Sequence, residues 1–352
     1  MRYQPDLLIS LLNQIFLVMA TVQIFFLARR LFDSSAAWVS AAVFLFSELY
    51  WRFSVSGLPT LLVVVIFLAL VSLLASLERA AREGRGNAIY FVGMGLAVGV
   101  VMALGTLTLY SFGWLMIPVF LFLILFQGKR RGLAAAAAVV VFLLAISPWL
   151  ARNYQLSGRF FGVAGYALAA DSGVSGGQLE RSLEPAAELK KVGFGGYKVK
   201  LFSNGADLVK NQVPKLGGSW VTALFLAGLF LQFRSPALGR MRIFLLMSLV
   251  TMIVAQAMGR THLSYANPIS NDLTSENLLA VVAPLVFVFG VGMFYLLLDQ
   301  MRLAIPQLRF VVIGGFVRAR LSPRRRSGVL PRSRRSCGSG NRRCRTRAGV
   351  CG

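Results

Sequence analysis

Charged residues are scarce in this sequence of 352 residues: Asp, Glu, Lys and Arg together make up 14% of it, whereas 57% of the residues are apolar. Soluble domains carry about 25% charged residues, so a soluble globular protein is excluded. A helix that spans a bilayer needs about 20 mostly apolar residues, and many such stretches are present. We therefore predict an integral membrane protein made of α-helices.

Histidine and cysteine are also nearly absent. The one histidine is His262, and the three cysteines, Cys337, Cys344 and Cys351, all lie in the C-terminal tail. They form neither the CxxC pairs nor the histidine-containing clusters that are typical of a zinc site. The motifs GxSxG, HExxH and GxxxxGK[ST] are missing as well. We therefore predict no metal site and no cofactor, although a divalent metal stays compatible with the sequence.

The apolar stretches predict a polytopic membrane protein with about nine transmembrane helices and a small external cap segment. The predicted spans are residues 7–28, 36–51, 58–78, 88–105, 107–126, 133–150, 219–233, 243–259 and 277–298. Basic clusters follow the first, third, fifth, seventh and ninth spans. Because Lys and Arg concentrate in cytoplasmic loops, we expect the N-terminus outside and the C-terminus in the cytoplasm, in a bacterial inner (plasma) membrane.

Four segments follow from this division. Residues 1–150 form an N-terminal transmembrane bundle, 151–218 an external loop or cap, 219–317 the C-terminal transmembrane helices, and 318–352 a disordered Arg-rich tail. The net charge of +24 could suggest nucleic acid, but much of the excess lies in this tail and the rest at helix ends, so we predict no nucleic-acid partner. The composition of the tail resembles the translation of GC-rich DNA in a shifted reading frame. The alternative is a genuine polybasic segment that binds anionic lipid.

Two polar clusters lie at predicted outer ends of spans. In the first, Glu48 and Arg52 are four residues apart and can pair on one helical face, beside Tyr50 and Trp51 as interfacial belt residues. Either this is an anchored helix end, or Arg52 binds a lipid phosphate, for which the planar guanidinium is well suited.

The second cluster follows the predicted span 133–150. Pro148 predicts a kink near the end of that span, and Trp149 is a further belt residue. Arg152, with Asn153 and Tyr154 next to it, is a positive charge on the predicted outer side, against the usual bias. Interfacial anchoring and binding of a phosphate by Arg152 are both compatible with this pattern.

A third polar cluster precedes the last predicted span. It contains His262, Asp272 and Glu276, of which Glu276 can cap the N-terminus of the following helix. A single loop histidine is usually only solvated. At the turn predicted near Gly105 and Thr106, the hydroxyl groups of threonines are expected to bond their own backbone.

Four stretches, taken in order, resemble the GT-C class of membrane glycosyltransferases, and in particular glycosyltransferase family 39, the protein-mannosyltransferase-like enzymes with their aminoarabinose-transferase relatives. The resemblance covers roughly residues 10–165, with a weaker match at 277–298. The stretches are FFLARRLFDSSAAWVSAAVFLFS, RFSVSGLPTLLVVVIFLALVSLL, GLAVGVVMALGTLTLYSFGWLMIPVFLFLIL and PWLARNYQLSGRFF.

The resemblance implies transfer of a sugar from a polyprenyl-phosphate donor to a lipid, glycan or protein acceptor at the outer membrane face. It implies that Arg52 and Arg152 bind the lipid phosphate. The family's catalytic Asp lies in a first external loop that has no counterpart here, since residue 1 corresponds to the start of the family's second span. The catalytic residue is therefore unknown, and we expect an N-terminally truncated fragment whose enzymatic activity is open. The alternatives are a transporter or flippase of lipid-linked sugars, or a non-catalytic membrane subunit.

Overall fold

The computed structural model of the chain describes residues 5–126, 131–158, 160–161, 194–229, 235–259, 277–300 and 314–315, all within one compact unit that covers residues 1–321. These described residues form helices joined by short turns and contain no strand. The prediction of an all-α polytopic membrane protein is confirmed.

Eleven α-helices are found in the described part of the chain. A 3₁₀ helix, Tyr110–Leu115, connects α5 to α6, and α8 continues into a π-helical turn, Leu208–Gln212, and a 3₁₀ turn, Val213–Lys215. The α-helices are α1 Pro5–Leu31, α2 Ser34–Leu45, α3 Glu48–Val55, α4 Thr60–Arg82, α5 Ala88–Thr108, α6 Met116–Phe126, α7 Arg131–Ser157, α8 Phe194–Asp207, α9 Ser219–Gly228, α10 Pro236–Gly259 and α11 Leu279–Gln300.

Within these described ranges, six helices are long and apolar enough to cross a membrane, namely α1, α4, α5, α7, α10 and α11. Three of the predicted spans correspond to shorter apolar stretches, Ser34–Leu45, Tyr110–Phe126 and Ser219–Gly228. The number nine therefore stays a prediction.

One predicted span is divided in two. Residues 36–51 were expected to form a single helix, but α2 ends at Leu45 and Ser47 adopts an extended backbone before α3 begins at Glu48. Serine is favoured at the residue that precedes a helix, and the apolar pattern across residues 41–46 concealed this signal. The result is a short separate helix that contains both Glu48 and Arg52.

The predicted division of residues 88–126 into two helices is found, with the turn placed slightly later in the chain. Helix α5 continues to Thr108, and the 3₁₀ helix supplies the turn instead of Gly105 and Thr106. As expected, the hydroxyl groups of Thr106 and Thr108 donate to the carbonyl oxygens of the residues four positions earlier, at 2.8 Å in both cases.

Helices α5 and α7 approach each other at backbone distance. A Cβ atom added to Gly95 would lie 2.5 Å from the Ala134 carbonyl oxygen, and one added to Gly99 would lie 2.5 Å from that of Ala138. Glycines four residues apart therefore face alanines four residues apart, which is the small-residue pattern of tightly packed membrane helices. Helix α6 packs against α7 and against α10.

Helix α11 is the centre of the bundle. Its residues from Leu279 to Met293 are all buried, and it packs on α1, α2, α4, α9 and α10. Gly290 permits a close approach to α9, because a Cβ atom there would lie 2.5 Å from the Val221 carbonyl oxygen.

The bundle has two chemically different ends. At the end that we call the basic end, Arg30 of α1 donates to the Ser76 hydroxyl (2.7 Å) and the Ala75 carbonyl (3.0 Å) of α4. Glu78, only 2% exposed, accepts from Arg240 at 3.0 Å and lies 3.6 Å from Arg82. The opposite end, which we call the site end, contains α3, the 3₁₀ helix and the C-terminal turns of α7.

Candidate functional site

Helix α3 presents the first predicted pair at the site end. Glu48 and Arg52 form an ion pair with an N–O distance of 2.9 Å, as their spacing predicts, and their side chains are 80% and 40% exposed. Exposed pairs of this kind contribute about 0–1 kcal/mol. An incoming anion can therefore replace Glu48 as the partner of Arg52 at little cost.

Between these two residues, Tyr50 faces the opposite way. Its side chain is fully buried against Phe44 and Phe287, with ring centroids 4.3 and 6.1 Å away. The prediction that Tyr50 is an interfacial belt residue is therefore wrong. One face of a helix shorter than a bilayer can be buried while its other face is exposed, and the sequence does not reveal which face α3 turns inward.

The Tyr50 hydroxyl donates to the Ala280 carbonyl oxygen at 2.7 Å. Pro284 lies four residues after Ala280 inside α11, and proline has no N–H to complete the helical hydrogen bond to that carbonyl. Tyr50 therefore supplies the missing donor and fastens α3 to the first turn of the central helix.

Helix α7 carries the second predicted cluster, but it does not end where the apolar stretch ends. The helix includes Pro148 and continues to Ser157. The Ser147 hydroxyl donates to the Leu144 carbonyl at 2.9 Å, which is the carbonyl that Pro148 leaves without its usual donor. Trp149, Arg152 and Asn153 therefore lie on consecutive turns of one continuous helix and not in a loop.

Tyr110, on the 3₁₀ helix, joins this cluster through its hydroxyl oxygen. Both the Trp149 indole N–H and the Asn153 side-chain amide donate to it, the latter at 2.8 Å. Sequence reasoning missed Tyr110; the available signal was a tyrosine between two apolar runs, at the turn of a predicted hairpin. The Arg152 guanidinium carbon lies 5.0 Å from the centre of the Trp149 ring, within the range of a cation–π interaction.

We call Tyr110, Trp149, Arg152 and Asn153 the indole platform. Trp149 is 40% exposed and Arg152 is exposed, so the platform faces away from the bundle core. Tyr154, on the next position of α7, lies apart from it and stacks on Phe160, with ring centroids 4.8 Å apart.

The two predicted arginines occupy separate parts of the site end. Helix α3 packs on α1, α2 and α4, whereas α7 packs on α5 and α6. Three further predicted residues, His262, Asp272 and Glu276, lie outside the described residues. Within the ranges that the structure describes, no three His, Cys, Asp or Glu side chains form a group that could hold a metal ion.

A buried amide pair lies at the same end and was not predicted. Gln256 of α10 donates to Gln212 at 3.0 Å and accepts from the Leu279 backbone N–H at 3.4 Å. Asn204 of α8 donates to the Ala257 carbonyl at 2.9 Å. These bonds satisfy backbone groups at the ends of α10 and α11 that have no partner within their own helix, and they attach α8 and the π-helical turn to the bundle.

Comparison with known proteins gives a match to a family model. Residues 4–151, somewhat less than half of the chain, match the model of the family described as dolichyl-phosphate-mannose-protein mannosyltransferase. The match contains Glu48, Arg52, Tyr110 and Trp149 and ends one residue before Arg152. It supports the GT-C membrane glycosyltransferase family, as the resemblance implied. No curated protein and no solved structure gives a significant match.

Proposed function

We propose that this multi-pass membrane protein of glycosyltransferase type transfers a sugar from a polyprenyl-phosphate donor to a lipid, glycan or protein acceptor at the outer face of a bacterial inner membrane. The observation that carries the proposal is the family match over residues 4–151. That family is described by its use of dolichyl-phosphate mannose, so a mannosyl donor is the first to test.

The chemistry requires cations near the phosphate that leaves with the lipid. Negative charge grows on that phosphate in the transition state, and positively charged donors placed there lower the barrier. Arg152 fits this role because it is exposed, is held against the Trp149 ring at 5.0 Å, and carries a planar fork of N–H groups that matches phosphate oxygens. Arg52 is the second candidate, once its exposed pair with Glu48 opens.

The predicted segments give a division of labour. Residues 1–150 would hold the donor lipid among the helices, 151–218 would cover the site end, and 219–317 would complete the bundle. The acceptor must also lose a proton as the new bond forms. We assign no catalytic base, and the polar residues His262, Asp272 and Glu276 stay candidates for the acceptor side of the site.

A transporter or flippase of lipid-linked sugars is the alternative. Ionisable residues in the interior of transmembrane bundles mark transport pathways. In the described part of the chain, the buried charged side chain is Glu78, which lies in the last helical turns of α4 and is paired with two arginines. This arrangement is that of a structural ion pair near a membrane surface, and it favours the transferase.

The test is a transfer assay on the full chain in membranes, with a radiolabelled polyprenyl-phosphate mannose as donor. We expect labelled acceptor with the native chain and a loss of about 100-fold with Arg152→Ala, the size typical of a lost transition-state donor. Arg85→Ala is the matched control, because Arg85 is an exposed arginine beyond α4, paired with Glu83 at 3.2 Å. Equal transfer by the two variants would contradict the role of Arg152.

A further inference from the structure

The hydroxyl hydrogen of Tyr110 has no acceptor among the described residues, although the hydroxyl oxygen accepts two hydrogen bonds. A tyrosine hydroxyl has two acceptor lone pairs and one hydrogen to donate. Trp149 and Asn153 both donate to the oxygen, so both lone pairs are occupied. Among the described residues, the structure provides no acceptor for the hydroxyl hydrogen itself.

Because both lone pairs of the Tyr110 hydroxyl are occupied, the hydroxyl can act only as a donor toward a further partner. An oxygen that accepts two hydrogen bonds can only donate to a third partner, and that partner must be an acceptor. Water or a ligand oxygen meets this requirement, whereas a further N–H donor would be repelled. Tyr110 is half-buried, and Trp149 and Arg152 beside it are exposed, so a ligand can approach the platform from outside the bundle.

Arg152 also requires a partner that accepts hydrogen bonds. Its guanidinium contacts the face of the indole whose edge donates to Tyr110, and with the described residues it forms this ring contact and no hydrogen bond. The five N–H groups of a guanidinium are donors only. Two sets of unused donors, one of them cationic, are therefore assembled around a single ring.

We infer that the Tyr110 hydroxyl and the Arg152 guanidinium form a two-donor site for a phosphoryl group, with Tyr110 as a ligand-binding residue and not only a support for Trp149 and Asn153. The inference rests on the proposed function for its choice of ligand, a lipid-linked phosphate. A phosphoryl group satisfies both partners because it offers several acceptor oxygens and negative charge, and hydrogen bonds that involve a charged partner are the stronger kind.

The experiment measures binding of a radiolabelled polyprenyl monophosphate by the full chain in phosphatidylcholine nanodiscs. We expect Tyr110→Phe to weaken binding about tenfold or more, the loss typical of a hydrogen bond to a charged group, and Arg152→Gln to weaken it at least as much. Parallel nanodiscs that contain phosphatidylglycerol identify the source of the phosphate. Competition there assigns the site to phospholipid headgroups, and selective binding of the polyprenyl phosphate assigns it to the donor; both outcomes support the two-donor site.

Repeating Tyr110→Phe in a Trp149→Phe/Asn153→Leu background distinguishes a ligand-binding role of Tyr110 from a role that only supports Trp149 and Asn153. That background removes both internal donors but keeps an aromatic face beneath Arg152. A ligand-binding hydroxyl still contributes there, so Tyr110→Phe again weakens binding severalfold, whereas a supporting hydroxyl has nothing left to support and the two chains bind equally. Equal binding overturns the inference.

The outcomes for this site and for the proposed function are distinguishable. Binding that Arg152→Gln abolishes but Tyr110→Phe leaves unchanged contradicts only the role of Tyr110. Binding that follows the expected pattern without any sugar transfer contradicts the proposed function and leaves the phosphoryl site in place. A native chain that binds neither lipid contradicts both.

Discussion

Replacement of Tyr50 by phenylalanine tests whether the tyrosine serves the carbonyl that Pro284 leaves without a donor. The ring keeps its contacts with Phe44 and Phe287, so the substitution removes the hydroxyl and almost no apolar burial. A buried acceptor that loses its donor costs about 1–3 kcal/mol. Because Tyr50 and Ala280 are both fully buried, the carbonyl gains no solvent donor in exchange, and we expect Tyr50→Phe to lower the free energy of unfolding by about 2 kcal/mol.

Pro284→Ala makes this expectation specific. Alanine at position 284 restores an N–H for the Ala280 carbonyl, so Tyr50→Phe should cost much less in that background, with a coupling energy of about 1–2 kcal/mol. The measurement is SDS-driven unfolding in mixed micelles, followed by circular dichroism, for the native chain, both single variants and the double variant. Additive effects, within about 0.5 kcal/mol, would refute the connection between Tyr50 and Pro284.

Two further predictions use the same unfolding assay. Gly95→Ala should destabilise the chain by about 1–3 kcal/mol through overpacking, because the added Cβ would lie 2.5 Å from the α7 backbone. Gly93→Ala is the control, since nothing lies within 4 Å of a Cβ added there, and it should be neutral or stabilise the chain by up to about 1 kcal/mol through helix propensity. Equal effects of the two substitutions would contradict the close approach of α5 and α7. Arg240→Ala should lower the free energy of unfolding by about 2 kcal/mol, below the range for fully buried ion pairs because the arginine is 31% exposed. Glu78→Gln should cost less, because it leaves partly exposed arginines that water can solvate. The reverse order would show that Glu78 does not depend on Arg240.

The apolar pattern of the sequence predicted the all-helical membrane fold and the positions of most helices. It could do so because a bilayer demands long apolar segments with internally satisfied backbones. It failed at Ser47, where the apolar run of residues 41–46 concealed a helix break, and after Pro148, where proline and the polar residues suggested a helix end that does not occur. In both places the backbone conformation depends on hydrogen-bond partners elsewhere in the chain or within the same helical turn. An example is the Ser147 hydroxyl, which donates to the carbonyl that Pro148 leaves without its usual donor.

The candidate site was predicted only in part. The spacing of Glu48 and Arg52 predicted their pairing, since both lie on one short helix. Arg152 and Asn153 were singled out from their position after an apolar stretch, but Tyr110 was not. Its contact with Asn153 spans 43 residues and depends on the close approach of α5 and α7, which no local pattern reveals.

That close approach also sets an order of events during biosynthesis. Tyr110 leaves the ribosome on one side of α6, and Trp149 follows on the other, 39 residues later. Gly95 and Gly99 can meet their alanines only after α7 has been synthesised and has packed next to α5. A nascent chain that stops short of α7 has Tyr110 but lacks Arg152 as well as the two residues that donate to Tyr110, and we expect such a chain to bind no lipid phosphate at this end of the bundle.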